Sequence, residues 1–165
     1  MDAIRKILVP TDFSAHADEA FRVAHTVARA TGAAVVVFHV ATPPAVVTEG
    51  GTLLAEPGKK EATNLWDRFQ PMRALDPKVR VEHQVIVAEK PGANHVLDIL
   101  DRLGCDLIVM GTHGRSWLKH RLFGSVTEEV VRRARCPVLV VKAPAHQAEI
   151  AAPQPPKAAE GRGKP

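Results

Sequence analysis

The sequence predicts a single doubly wound α/β domain built on a five-stranded parallel sheet with helices on both faces. Three observations carry that expectation. Short apolar runs alternate with stretches of helical spacing in the order βα, βα, βα, βα, β, the pattern of a sheet covered on both sides by right-handed crossovers. Two of the runs, residues 34–40 (AVVVFHV) and 106–110 (DLIVM), are apolar almost throughout, as strands buried on both faces are. The chain has 165 residues, about one domain, and a domain of that size buries roughly 70% of its unfolded surface without a metal or disulfide staple.

Each element has its own signal. Residues 4–10 (IRKILVP) form a short apolar strand that Pro10, Thr11 and Asp12 close into a loop. Ser14 is placed to cap a helix whose apolar positions Ala17, Ala20, Phe21, Ala24, Val27 and Ala28 recur until Gly32 stops it. The strand at 34–40 follows. Residues 41–57 hold Pro43, Pro44, Gly50, Gly51 and Pro57, which predicts a long loop before a weaker helix over 59–75. From Val79 to Val87, apolar and polar residues alternate with period two, as in a half-exposed strand at a sheet edge. Pro91 at the first helical position, the set Val96, Leu97, Leu100 and Leu103, and Gly104 at the end mark a third helix. After the strand at 106–110, a helix over 125–134 and a last strand, PVLVV, complete the order. Residues 143–165 carry five prolines and seven alanines but a single bulky aliphatic, Ile150. That composition predicts a disordered tail after a folded domain at 1–142.

Composition narrows the function. Two cysteines are too few for a disulfide scaffold, and the opening MDAIRKILVP has no secretory or transit pattern, so a reducing, cytoplasmic setting is expected. The apolar runs are far shorter than the roughly 20 residues of a membrane span. The formal charge is +4, and it gathers where Arg115, Lys119, Arg121, Arg132, Arg133 and Arg135 face only Glu128 and Glu129. Such a patch suits phosphate, on a nucleotide or on nucleic acid, and it equally suits a solvated helix face. Aromatic interleaving is limited to Trp117 and Phe123, which speaks against nucleic acid.

The stretch 111–126, GTHGRSWLKHRLFGSV, carries the chemistry. In parallel sheets of this kind ligands bind beyond the carboxyl ends of the strands, where the strand order reverses. Gly111 and Gly114, without Cβ atoms, let backbone turn and lie against a ligand at a strand end. Gly124 and Ser125 place the amides of Ser125, Val126 and Thr127 at a helix N-terminus, ready for phosphate. Ser125 to Glu128 also reads as a capping box, a reading compatible with the first. A flexible surface loop remains the alternative on spacing alone.

The combination of KILVPTDFS at the start, DLIVMGTHG, a GxxG followed nine residues later by GS, and CPVLVV at the end resembles the universal stress protein family in its ATP-binding branch, over residues 3–142. That resemblance implies the strand order 3-2-1-4-5, which makes the first and fourth strands neighbours. It implies an ATP-binding, cytoplasmic stress-response regulator. Pro10, Thr11 and Asp12 would lie beside adenine and ribose, with Val40 and Met110 lining the adenine pocket. Gly111 and Gly114 would follow ribose and phosphates, and Gly124, Ser125 and Val126 would hold the phosphates, with Mg²⁺. Asp12 would orient either the ribose or a metal-bound water. His113 and Arg115 join the candidate nucleotide contacts. Trp117 departs from the small residue many members carry there; it either closes over the nucleotide or hinders the loop.

A homodimer through PVLVV, with Pro137 and Val141 at its ends, would cover an unprotected apolar edge. A slow ATPase or self-phosphorylating enzyme, with Asp12 or His113 as base or acceptor, is the alternative activity, and a dimeric stress protein that binds no nucleotide is the other alternative. Eight histidines do not make a metal site, since His113 and His120 stand seven apart without a third ligand at tight spacing. His39, inside a buried strand, is expected to be a hydrogen-bonded core residue. In the strand order that the resemblance implies, Cys105 and Cys136 begin neighbouring strands at the end of the sheet opposite the nucleotide, as paired buried thiols or as a redox switch.

Overall fold

A computed structural model describes residues 3–43, 45–48, 51–54, 59–73, 75–113 and 123–143. Strands β1 (Lys6–Pro10), β2 (Ala34–Ala41), β5 (Val81–Val87), β6 (Leu107–Gly111) and β7 (Val138–Val141) form one sheet, all pairs parallel. Its order is β5-β2-β1-β6-β7. Counting only the strands of this sheet, that is the expected 3-2-1-4-5. The order reverses between β1 and β6, so the crevice falls between their carboxyl ends.

The sheet separates two apolar layers. On one side α1 (Ala15–Thr31) packs Ala17, Ala20, Phe21, Ala24 and Ala28 against Ile7, Val9, Val35, Val37 and Val109. Small alanines along that stripe let the helix lie close to the strands. On the other side α3 (Ala93–Leu103) sets Val96, Ile99 and Leu100 against Leu8, Val36, Phe38, Ile108 and Met110, together with Val130 of α4 (Ser125–Arg133). Side chains of β1, β2 and β6 thus alternate between two buried layers, which is why those strands read as continuous apolar runs. β5 lies at one edge with its residues half-buried, as the alternating pattern requires.

The end signals act where expected at two helices. The Ser14 hydroxyl accepts the Ala17 N–H and caps α1, and Gly32, at φ 78°, closes it in the left-handed conformation that a Cβ would strain. Gly104 closes α3 in the same way.

Three expectations need correction. The stretch 41–57 is not all loop: β3 (Ala45–Thr48) and β4 (Gly51–Leu54) pair as an antiparallel hairpin. The helix expected over 59–75 ends earlier, as α2 (Lys59–Phe69), and a 3-10 turn over Gln70–Met72 follows because Pro71 cannot supply the N–H a further α-turn needs. Pro91 is not the first residue of α3; Gly92 is its N-cap, so Pro91 lies just outside. The tail from 144 onward lies outside the described residues.

Candidate functional site

The carboxyl end of β1 folds back on itself through local hydrogen bonds. Thr11 N–H donates to the Phe38 carbonyl (2.8 Å), which extends β1 along β2 by one residue. The Thr11 hydroxyl then accepts from Phe13 N–H (2.9 Å), and Asp12 Oδ1 accepts from Ser14 N–H (3.1 Å). Both are side-chain mimics of a backbone turn. Between them Phe13 sits at φ 62°, the one non-glycine with positive φ among the described residues. A bulky residue holds that conformation only where its surroundings enforce it. Here the Phe13 ring packs on His39 (4.5 Å between centroids) and edge-on against Phe69 (4.9 Å), and the Arg68 guanidinium lies 4.0 Å over its face.

At the end of β6 the contacts are between elements. The Thr127 hydroxyl donates to the Gly111 carbonyl (2.9 Å), and Gly124 N–H donates to the Thr112 carbonyl (2.8 Å). Thr112 N–H in turn donates to the Val141 carbonyl (2.9 Å). These bonds fix the start of α4 beside the strand end. Gly124 is the N-cap, with no side chain to occupy the first amides, and the helical ladder starts with Glu128 N–H on the Gly124 carbonyl. Ser125 is therefore the first helical residue rather than the cap, and the capping box expected from Ser125 to Glu128 does not form. The amides of Ser125, Val126 and Thr127 precede the ladder, at the positive end of the helix dipole.

Gly111 lines the cleft, and its lack of a Cβ also answers a packing demand between elements. Its φ is not positive, and a Cβ there would come within 2.7 Å of His16 Cβ and 2.9 Å of the His16 carbonyl carbon. The missing side chain lets the first turn of α1 press against the end of β6. His16 is buried by that packing, with its ring 5.8 Å from the His113 ring. Burial holds the His16 imidazole below its ordinary value; His113 and Lys142 push the same way and Asp12 opposes them. Two residues on, burial raises the Asp18 carboxyl, against the pull of Arg22.

A cleft of about 820 Å³ opens over the point where the strand order reverses. Ten of the twelve residues singled out from the sequence line it. Pro10, Thr11 and Asp12 come from the β1 end, Val40 from β2, and Met110, Gly111 and His113 from the β6 end. Gly124, Ser125 and Val126 come from the start of α4. Gly114 and Arg115 lie outside the described residues, as do Trp117, Lys119, His120 and Arg121.

The cleft also holds residues that the sequence did not single out. α2 supplies Asn64, Leu65 and Arg68. Arg68 also donates from Nη2 to the Asp12 carbonyl at 3.5 Å. Thr127, expected here through its backbone amide, lines the cleft as well and adds its side-chain hydroxyl. The placement of α2 was not legible in the sequence. His39 was expected in the core; it does form a hydrogen bond, from Nδ1 to the Thr11 carbonyl (2.8 Å), but it is only half-buried and lines the cleft.

The opposite pole of the sheet is built differently. Asp106 Oδ2 accepts from both Arg5 N–H and Lys6 N–H (2.9 Å each), and these bonds hold its carboxyl below the usual range. Cys105 is buried and Cys136 half-buried, both as free thiols. Burial pushes the Cys105 thiol up to about 11, and raises Cys136 too, so both are held in the thiol form at neutral pH. Among the described residues no cluster of three or more His, Cys, Asp or Glu could hold a metal, and no helix is long and apolar enough to cross a membrane.

A parallel sheet of order 3-2-1-4-5 with a cleft at its switch point, bounded by two strand ends and a helix N-terminus, defines a doubly wound α/β fold. The chain belongs to the universal stress protein family, whose description matches residues 3–142. Universal stress protein MJ0531 of Methanocaldococcus jannaschii is 35% identical over 144 residues, covering 85% of this chain and 83% of its own. The universal stress protein UspA of Lactobacillus plantarum shares the fold with a TM-score of 0.66 at 22% identity, over 86% of this chain and 99% of that one. A universal stress protein solved in complex with cAMP matches with a TM-score of 0.59 at 25% identity, over 87% of this chain and all of its own (100%).

Proposed function

We propose that this protein binds an adenine nucleotide, ATP with Mg²⁺, in the switch-point cleft and acts as a nucleotide-responsive regulator in the cytoplasm. The observation that carries the reading is the start of α4: three amides ahead of the helical ladder, uncapped at Gly124 and fixed beside Gly111 by the Thr127 hydroxyl. Amides so placed, with the helix dipole behind them, favour a phosphate by up to about 1 kcal/mol from the dipole alone. Val40, Met110 and Phe38 offer apolar surface for a base, and the cleft volume lies within the roughly 300–1,000 Å³ of small-molecule sites. The residues present therefore fit a nucleotide. Asp12 is the one carboxylate among the described lining residues, and Mg²⁺ would be held by it and by phosphate oxygens. The universal stress protein crystallised with cAMP supports the adenine class.

Mass spectrometry of natively purified protein, followed by ATP titration, tests the reading. Co-purified adenine nucleotide or saturable ATP binding is the expected result; the absence of both would refute the reading. Slow hydrolysis or self-phosphorylation is a second reading, favoured by Asp12 and His113 both lining the cleft. Phosphate release that persists unchanged in Asp12→Ala and His113→Ala proteins would remove it. The homodimer belongs to the same proposal: β7 ends the sheet, and Leu139 on it and Val131 on α4 are exposed apolar side chains. Sedimentation at micromolar concentration should show a dimer, and a monomer there would end that part.

A further inference from the structure

Three histidines hold the region around α2, and the partners of each assign its protons. His39 Nδ1 faces the Thr11 carbonyl (2.8 Å) and His83 Nε2 faces the Met72 carbonyl (3.1 Å). A carbonyl only accepts, so both ring nitrogens donate, in the neutral ring and in the protonated one alike. His25 is the opposite case. Its Nε2 receives two backbone donors, Leu75 N–H and Asp76 N–H, at 3.2 Å each. An amide N–H only donates, so this nitrogen must present a lone pair, and the ring must be neutral with its proton on Nδ1.

We propose that His25 is an acid-operated latch: its neutral ring fastens the segment after α2 to α1, and protonation releases that segment. A proton on Nε2 fills the lone pair that both amides use and faces two donors with a third. His25 is itself buried, with the Phe21 ring 6.1 Å away, so the ring cannot simply turn into water without opening the contact. The latched segment matters because it follows the 3-10 turn at the end of α2. Met72 in that turn and Phe69 at the end of α2 are both buried in the layer beneath α1, while Leu65 and Arg68 of α2 line the cleft. Opening the latch removes one of the ties that hold the α2 wall of the cleft in place, and leaves the His83 tie to Met72 intact.

The charged and titratable groups around the latch lie on several elements. Arg22, paired with Glu19 (2.6 Å), and Arg29 stand a turn before and after His25 on α1. Arg73 follows the 3-10 turn. Asp76 lies at the latch itself, and its Oδ1 accepts from Lys78 N–H (2.9 Å) within the turn. Lys78 stands beside it, and His83 approaches Met72 from β5. The latch is independent of whether the cleft takes a nucleotide.

The test uses the full chain. ¹⁵N NMR of the histidine rings near neutral pH should show His25 with a protonated Nδ1 and a bare Nε2; an Nε2–H tautomer would overturn the proposal without any substitution. Amide exchange of Leu75 and Asp76, corrected for the intrinsic pH dependence, then reads the opening. A water-exposed imidazole titrates near pH ~6.5, so protection should fall about ten-fold from roughly pH 7.5 to roughly pH 5.5. His25→Gln, which offers a carbonyl acceptor that does not titrate, should remove that fall. An equal fall at Leu100 in α3 would show global unfolding instead of a latch and would overturn the proposal, as would the same pH dependence in wild-type and His25→Gln proteins. If the variant does not fold, the wild-type tautomer and the contrast between Leu75 and Leu100 decide the matter.

Discussion

Replacing Gly111 by alanine adds one methyl group at the point where β6 and α1 come closest. The new Cβ would lie 2.7 Å from His16 Cβ, 2.9 Å from its carbonyl carbon and 3.0 Å from its carbonyl oxygen. Two of those three atoms are backbone of the first turn of α1, so no side-chain rotation clears them; the helix start must shift by several tenths of an ångström. Overpacking of this kind costs about 1–3 kcal/mol. For a domain of this length that corresponds to a fall of about 2–4 °C in Tm per kcal/mol, or roughly 4–8 °C for a mid-range cost of about 2 kcal/mol. Urea unfolding, fitted with the slope held in common, measures the loss directly. The displaced turn also carries Ser14 and the Asp12 hydrogen bond, so ligand affinity should fall along with stability. A Gly111→Ala protein as stable as wild type would refute the packing explanation. If it lost ligand affinity alone, the glycine would instead be there for the ligand.

Two further outcomes follow from the hydrogen bonds at either pole. Thr127→Val keeps the shape but leaves the Gly111 carbonyl without its donor, and should cost about 1–3 kcal/mol in denaturant unfolding; Thr127→Ser should recover most of it. Asp106 binds two backbone amides through its ionised carboxyl, so its folded pKa lies below the unfolded one. Its contribution is therefore complete above the ordinary value of about 4 and is lost as pH falls through the lower folded value. Because the group is only half-buried, Asp106→Asn should cost only about 1 kcal/mol near neutral pH, and the difference from wild type should shrink as the pH falls below the ordinary carboxylate range.

Much of the fold was legible because its signals are local. Ser14 and Gly32 mark α1 through interactions within four residues, and the period-two alternation from Val79 to Val87 records a strand with one covered face. The strand order was legible only through resemblance, since nothing local in β1 says that β6 will be its neighbour. The hairpin was missed because prolines and glycines at 43–57 outweighed two short β-prone runs, AVVT and GTLL, joined by Glu49-Gly50. The two corrections at helix starts, Pro91 and Ser125, are each shifts of a residue or two about a glycine that serves as the N-cap.

The candidate site was legible in its strand ends and helix start, where glycine, proline and small polar residues interrupt apolar runs. Its other wall was not. Arg68 reaches the cleft because α2 crosses over Phe13, a contact between residues 55 positions apart in the chain that no local pattern encodes. The reason for Gly111 was hidden in the same way: the atom it makes room for belongs to His16, on a different element.

The central claim is that the start of α4 receives phosphate, and Gly124→Asp tests it most directly. Gly124 has φ −66° and ψ 153°, a conformation open to any residue, and Asp is a favoured N-cap. The variant should therefore fold with unchanged or higher stability while its carboxylate occupies the amides of α4 and repels phosphate. Isothermal titration with Mg·ATP should show affinity at least about ten-fold weaker than wild type, a loss of ~1.4 kcal/mol or more. Equal ATP affinity in a stably folded Gly124→Asp protein would contradict the account.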